Sequence, residues 1–166
     1  MTDTTARLAL PLIAPGQAQK ELFHNEALAL LDLAAQASVV AVGIDTPPAS
    51  PLPGQTWIVG AAPTDAWAGR AGALAGWTAG GWRFLAATEG MSAWDQTTGQ
   101  LARYTGGSWA LGTIAASRVT VGGLQVVGAR RPAIADATGG TVVDAEARTA
   151  IEAILAALRD HGLIAV

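Results

Sequence analysis

The sequence predicts an α+β protein: an N-terminal helical anchor, a small antiparallel Trp-rich β module, a short β hairpin and a C-terminal amphipathic helix. Three observations lead there. Apolar residues recur at spacings of three and four near both ends of the chain. Between them, short β-branched or aromatic runs are bounded by glycine-rich turns. Four prolines between Asp45 and Gly54 exclude helix and any central strand, and mark a stiff connector. The expected organisation is therefore an arm and helical anchor over 1–44, a connector over 45–54, a β module over 55–113, and a hairpin plus helix over 114–166.

The elements follow in chain order. Residues 1–9 are polar at Thr2, Asp3, Thr4 and Thr5, and are expected to form a flexible arm. Pro15-Gly16 forces a turn, because proline fixes φ and glycine relieves the next position. Leu22, Phe23, Ala27, Leu30, Leu31 and Ala34 then give one apolar stripe of a helix, with Gln17, Gln19, Lys20, Glu21, Asn25 and Glu26 opposite. Asn25 could cap a second, shorter helix from Glu26. Ser38-Val-Val-Ala-Val-Gly-Ile44 has the β-branched content of a strand.

From Gln55 to Gly112 the pattern is β. Strands are expected at Thr56–Val59, Trp82–Leu85, Met91–Asp95, Leu101–Thr105 and Ser108–Leu111, with tight turns at Thr97-Thr-Gly99 and Gly106-Gly107. Gly80-Gly-Trp-Arg-Phe-Leu85 and Gly106-Gly-Ser-Trp-Ala-Leu111 echo each other as a repeated hairpin. Ala61–Ala79 is expected to be a small-residue loop carrying Trp67 and Trp77. Val119–Val127 forms a hairpin around Gly122-Gly123. Asp144 is a good N-cap, Glu146 suits the first turn and Gly162 is a natural stop, so a helix lies between them. Its apolar seam is Ala147, Ile151, Ile154, Leu158 and His161, and Arg148 can pair with Glu152. Two readings of this helix stand side by side: packing on its own β module, or self-association through Ile151, Ile154 and Leu158.

Composition bounds the function. Charged residues are only 14% of the 166, where about a quarter is usual, so an oligomer that hides surface is favoured. A net charge of -3 and the lack of any Lys/Arg run argue against a nucleic-acid partner. No cysteine is present, so disulfides and thiolate metal sites are excluded. No stretch has the length of an apolar membrane span, and no secretory signal is visible. The expectation is synthesis in the cytoplasm without a signal peptide.

Candidate chemistry is sparse. His24 and His161 are too isolated for a metal constellation, and neither a nucleophile elbow nor a phosphate loop occurs. Asp65, Glu89 and Asp95 are the acidic residues of the Trp-rich stretch and read as solvated turn positions rather than a glycosidase pair. No enzyme activity, cofactor or metal is expected. The tryptophans are the stronger signal: six, against two Phe and one Tyr. An indole face can stack on a sugar ring and its N–H can bond a hydroxyl, but a β module short of large aliphatics also builds its core from Trp. Trp57, Trp82, Trp94 and Trp109 are expected in the core. Trp67 and Trp77 are the candidate glycan contacts.

One resemblance carries further. Pro11-Leu-Ile-Ala-Pro-Gly-Gln-Ala-Gln-Lys-Glu21 with His24-Asn-Glu-Ala-Leu28 resembles the opening of an uncharacterised domain family found in tail-fibre and spike proteins of tailed phages and gene transfer agents. Ala66-Trp-Ala-Gly69, Gly80-Gly-Trp82 and the tail from Asp144 to Ala165 are similar to that family too. The resemblance implies no catalytic residue. It implies a virion-like structural protein that is extracellular after lysis and assembles as a homotrimer. Its other partners would be head or tail proteins of the particle and a cell-surface polysaccharide. The anchoring residues would be Pro15, Gln17, Gln19, Lys20, His24 and Asn25. A stand-alone carbohydrate-binding module for a capsular or envelope glycan is the alternative.

Overall fold

The β-branched run Ser38–Ile44 sets the architecture, because it serves two sheets. In the computed structural model, which describes residues 3–16, 18–142 and 144–165, this run is two short strands, β1 (Ser38–Val39) and β2 (Val42–Ile44). β2 lies parallel to β3 (Thr56–Val59), and β1 lies parallel to β6 (Ser92–Asp95). β3 continues into an antiparallel meander with β4 (Leu74–Thr78) and β5 (Gly81–Leu85). β6 does the same with β7 (Gln100–Thr105) and β8 (Ser108–Leu111). The result is two mixed four-stranded sheets, ordered β2-β3-β4-β5 and β1-β6-β7-β8, where an antiparallel module was expected. Sequence periodicity cannot separate parallel from antiparallel pairing in strands this short.

The echo between the two glycine-tryptophan hairpins extends to the whole sheets. Each is a three-strand meander with a parallel strand on its outer edge. In each, the second and third strands join through a two-residue turn, and an aromatic pair faces across it: Trp77 opposite Trp82, and Tyr104 opposite Trp109. Gly106 and Gly107 have φ of 58° and 82°, the left-handed values that such a turn needs and that glycine adopts without strain. β4 falls in the stretch expected to be loop, since Leu-Ala-Gly-Trp-Thr offers little β-branched signal.

Two apolar cores result. Leu33, Val39, Ile58, Leu74, Ala93 and Ala102 pack together, joined by Leu85, Trp109 and Leu111. The opposite face of the β2–β5 sheet carries Trp57, Val59 and Ala75, with Trp77, Trp82 and Phe84 around them. β3 is therefore buried at every residue. Trp67, on a 3-10 turn over Asp65–Trp67, closes this second core and is 0% exposed. Its ring lies 5.2 Å from Trp82 and 6.2 Å from Trp57. The expected loop contact is thus the centre of a core. The reverse holds for Trp94, expected in the core: it is 49% exposed, opposite exposed Leu101 on the outer face of its sheet. Asp95 is buried rather than solvated, and accepts from Thr98 Oγ1 at 2.6 Å and more weakly from the Thr97 and Thr98 amides.

α1 (Lys20–Ala34) is one continuous helix through Asn25. The Asn25 side chain does not cap it; it brackets Ile13, accepting from its N–H at 2.9 Å and donating to its carbonyl at 3.0 Å. The expected apolar stripe is largely in water: Phe23 is 79% exposed, Leu22, Ala27 and Leu31 are also exposed, and Leu30 and Ala34 are half-buried. The buried face holds Asp32 and Leu33. Leu33 presses on β4 where Gly76 leaves room; a Cβ there would fall 2.3 Å from Leu33 Cδ2. The chain up to Thr113 forms one compact unit, and the proline-rich stretch lies within it, its Gly54 N–H donating to the Trp77 carbonyl.

Ile114–Val166 is a second unit. β9 (Val119–Val121) and β10 (Leu124–Val127) pair as a hairpin, and α2 spans Ala145–Asp160. Asp144 caps α2, accepting from the Ala147 N–H at 2.8 Å, and Gly162 takes φ 68° just beyond it. Arg148 does not pair with Glu152; its guanidinium donates to the carbonyls of Ala137 and Gly139. Arg159 binds Asp136 at 3.1 Å. Among the described residues no helix is long and apolar enough to cross a membrane.

Candidate functional site

A buried carboxylate lies beside a cleft of the first unit. Asp32 is 3% exposed and sits between two leucines on α1. It accepts from Thr5 Oγ1 at 2.8 Å, the Leu8 N–H at 2.7 Å and the Arg7 N–H at 3.1 Å. The Arg7 guanidinium donates to the carbonyls of Asp32 and Gln36 at the end of the helix, where a cation also opposes the helix dipole. The N-terminal arm is therefore folded back along α1, where a flexible arm was expected. An acidic residue inside the apolar run Leu30-Leu-Asp-Leu33 was the sequence signal for this.

The arm, α1 and the β4–β5 hairpin enclose a cleft of about 400 Å³. Its wall is mainly apolar, from Leu12, Leu22, Ala29, Leu33 and Trp77. Three acidic side chains of α1 line it. Asp32 is saturated by the arm. Glu26 is paired with Arg83 of β5 at 2.8 Å. Glu21 is not satisfied: its Oε1 takes only a long bond of 3.4 Å from the Gly16 N–H, and its Oε2 is buried without a partner among the described residues.

The expected site residues fall in different places. Trp77 is half-buried and lines this cleft, whereas Trp67 is enclosed behind it in the second core. Among the anchoring residues, Pro15, Gln19, Lys20 and His24 are exposed, and Asn25 faces the cleft while holding Ile13. His24 Nδ1 stays within its own helix, 2.9 Å from the Lys20 carbonyl. Gln17 lies outside the described residues. Of the self-association set, Ile151 and Ile154 are exposed and Leu158 is half-buried, while Leu155 is the buried residue of α2. Glu89 caps the β7–β8 turn through Thr105 Oγ1 and the Gly106 N–H, and Asp65 opens the turn that carries Trp67. Among the described residues no three acidic or histidine groups come close enough to hold a metal ion.

Fold and cleft together define a small α+β domain built from two matched sheets, with a tryptophan cluster on the face of the β2–β5 sheet that lies away from the shared core. The chain belongs to the DUF2793 family, described as proteins of unknown function, which it matches over residues 24–110, just over half its length. The match runs from α1 to β8 and takes in both sheets and all six tryptophans; the motif Pro11–Glu21 and the C-terminal unit lie outside it. No curated protein matches the chain.

Proposed function

We propose that this protein is a structural spike or fibre component of a phage-like particle, a gene transfer agent or a tailed phage, that anchors to the particle and contributes to attachment at a host surface. The motifs in α1, in the Trp-rich middle and in the C-terminal tail support the particle assignment. What carries it physically is the C-terminal unit. Ile114, Val119, Val121, Leu124, Val126, Val127, Ile151 and Ile154 are all exposed there, and its buried apolar residues are Leu155 and Ile164. A lone two-stranded hairpin with both faces in water is marginal by itself, and large apolar side chains exposed in this number point to an interface. Three copies packing their hairpins and α2 seams together supply the missing core, as a fibre does.

The N-terminal block is the complementary end. Phe23, Ala27 and Leu31 recur every four residues along the outward face of α1, and all three are exposed. That stripe seats the chain on a neighbouring protein of the particle. Phe23→Ser with Leu31→Ser should reduce the amount of tagged chain that co-sediments with particles by at least about tenfold, which corresponds to roughly 1.4 kcal/mol of docking energy. Undiminished co-sedimentation would remove the anchor from α1, and a chain that never sediments with particles would sink the particle reading.

A further inference from the structure

We propose that the outer face of the β1-β6-β7-β8 sheet binds an acidic sugar, a pyranose that carries a carboxylate, as in a uronic-acid polysaccharide. Side chains alternate across these strands. Ala93, Asp95 and Ala102 point inward and are buried, so Ser92, Trp94, Leu101 and Arg103 point outward, and all four are exposed. Trp94 is 49% exposed, whereas the other five tryptophans are buried or half-buried. A free indole face suits the CH side of a pyranose, and its N–H suits a hydroxyl.

The neighbours of Trp94 favour a sugar over a protein partner. Leu101, directly opposite on β7, is the other large apolar side chain on this face. Ser38 flanks the indole on the β1 side, its hydroxyl 2.9 Å from Gln96 Nε2, and the exposed Ser92, Thr105 and Ser108 are polar. The core of a protein interface is apolar and short of charge. One indole and one leucine in a polar field suit a ring rich in hydroxyls instead.

Charge selects the kind of sugar. Arg103 lies opposite Ser92 and so diagonal to Trp94, a backbone spacing of about 7–8 Å that long side chains bridge. It makes no ion pair among the described residues. The acids of this region are engaged elsewhere. Asp95 points inward to Thr98, and Glu89 is held at the β7–β8 turn by Thr105 Oγ1 and the Gly106 N–H. A guanidinium without an acid partner is matched best by a planar carboxylate, and a ring stacked on Trp94 brings one to Arg103. This face gives the attachment half of the proposed function a place and a sugar class, and rests on that reading for its setting.

The test is titration of the full chain with tetragalacturonate, its full methyl ester and cellotetraose at low salt, followed by amide and indole chemical shifts. The expected result is saturable shifts at the Trp94 indole, Leu101 and Arg103 with tetragalacturonate, and affinity at least about tenfold weaker for the two uncharged oligosaccharides, a difference of about 1.4 kcal/mol. Arg103→Gln should erase that preference, and Trp94→Ala should weaken all three. Both positions are exposed, so the rest of the spectrum should stay unchanged. Equal binding of the three, a preference that survives Arg103→Gln, or no saturable shift at this face would each overturn the proposal. So would a smaller assembled mass for Trp94→Ala, which would make the face a contact between copies. Co-sedimentation with particles is read separately, so a chain that sediments with them but binds no oligosaccharide overturns the sugar site alone.

Discussion

β3 and the β9–β10 hairpin are made of similar residues, yet their side chains meet opposite fates. Thr56-Trp-Ile-Val59 is buried at every position, with a sheet neighbour on each side and a core on each face. Val119-Thr-Val121 and Leu124-Gln-Val-Val127 are exposed at every position. Strand chemistry alone does not bury a strand; it needs layers on both faces, as β3 has. The first unit is a finished fold. The second has sound local signals, a capped helix and a two-glycine turn, and buries Leu155 and Ile164.

The comparison can be broken at its strongest point first. Trp67→Ala should cost about 3–5 kcal/mol, because it opens the closed core between Trp57 and Trp82. The loss, read from thermal unfolding, should be the same at low and high protein concentration, since that core lies within one copy. Asp32→Ala should come next, at about 3 kcal/mol, by leaving the Thr5, Arg7 and Leu8 donors without their acceptor. Hydrogen exchange would then show lost protection at the Arg7 and Leu8 amides before any loss in β3. Gly76→Ala should cost about 1–3 kcal/mol by pushing Leu33 off β4. Leu33→Val in the same chain should recover part of that cost, a coupling expected of residues in direct contact. The smallest effect on the monomer belongs to Ile154→Asp on α2, within about 0.5 kcal/mol as for an exposed site. The same change should shift the assembly toward smaller species, and melting of the second unit should become dependent on concentration.

The sequence made the element types legible wherever local rules decide them. Asp144, Gly162 and the paired glycines at 106–107 and 122–123 act locally, and the helix and hairpins stand where they indicate. What was not legible depends on distant partners. Leu22, Phe23 and Leu31 form the more apolar stripe of α1, but the helix docks through Leu33 because Gly76 makes a hollow there. Trp67 looked like a loop residue and is enclosed, because the sheet beneath it supplies Trp57, Trp77 and Trp82. Trp94 looked like core and is exposed, because the inner face of its sheet is built from Ala93 and Ala102. Of the cleft, Trp77 and Asn25 could be singled out from the sequence. Asp32 left a trace as an acid inside an apolar run but its partners did not, and Glu21 left none, since their roles depend on an arm whose return path has no periodic pattern.

The central claim is that the residues from Ile114 onward complete their core with other copies of the chain. It is tested most directly by the absolute mass of the purified full-length protein in solution, measured by light scattering over a range of concentrations. A discrete trimer that Ile154→Asp dissociates is expected. A monomer at every concentration, with the exposed apolar residues of the C-terminal unit still in water, would contradict it.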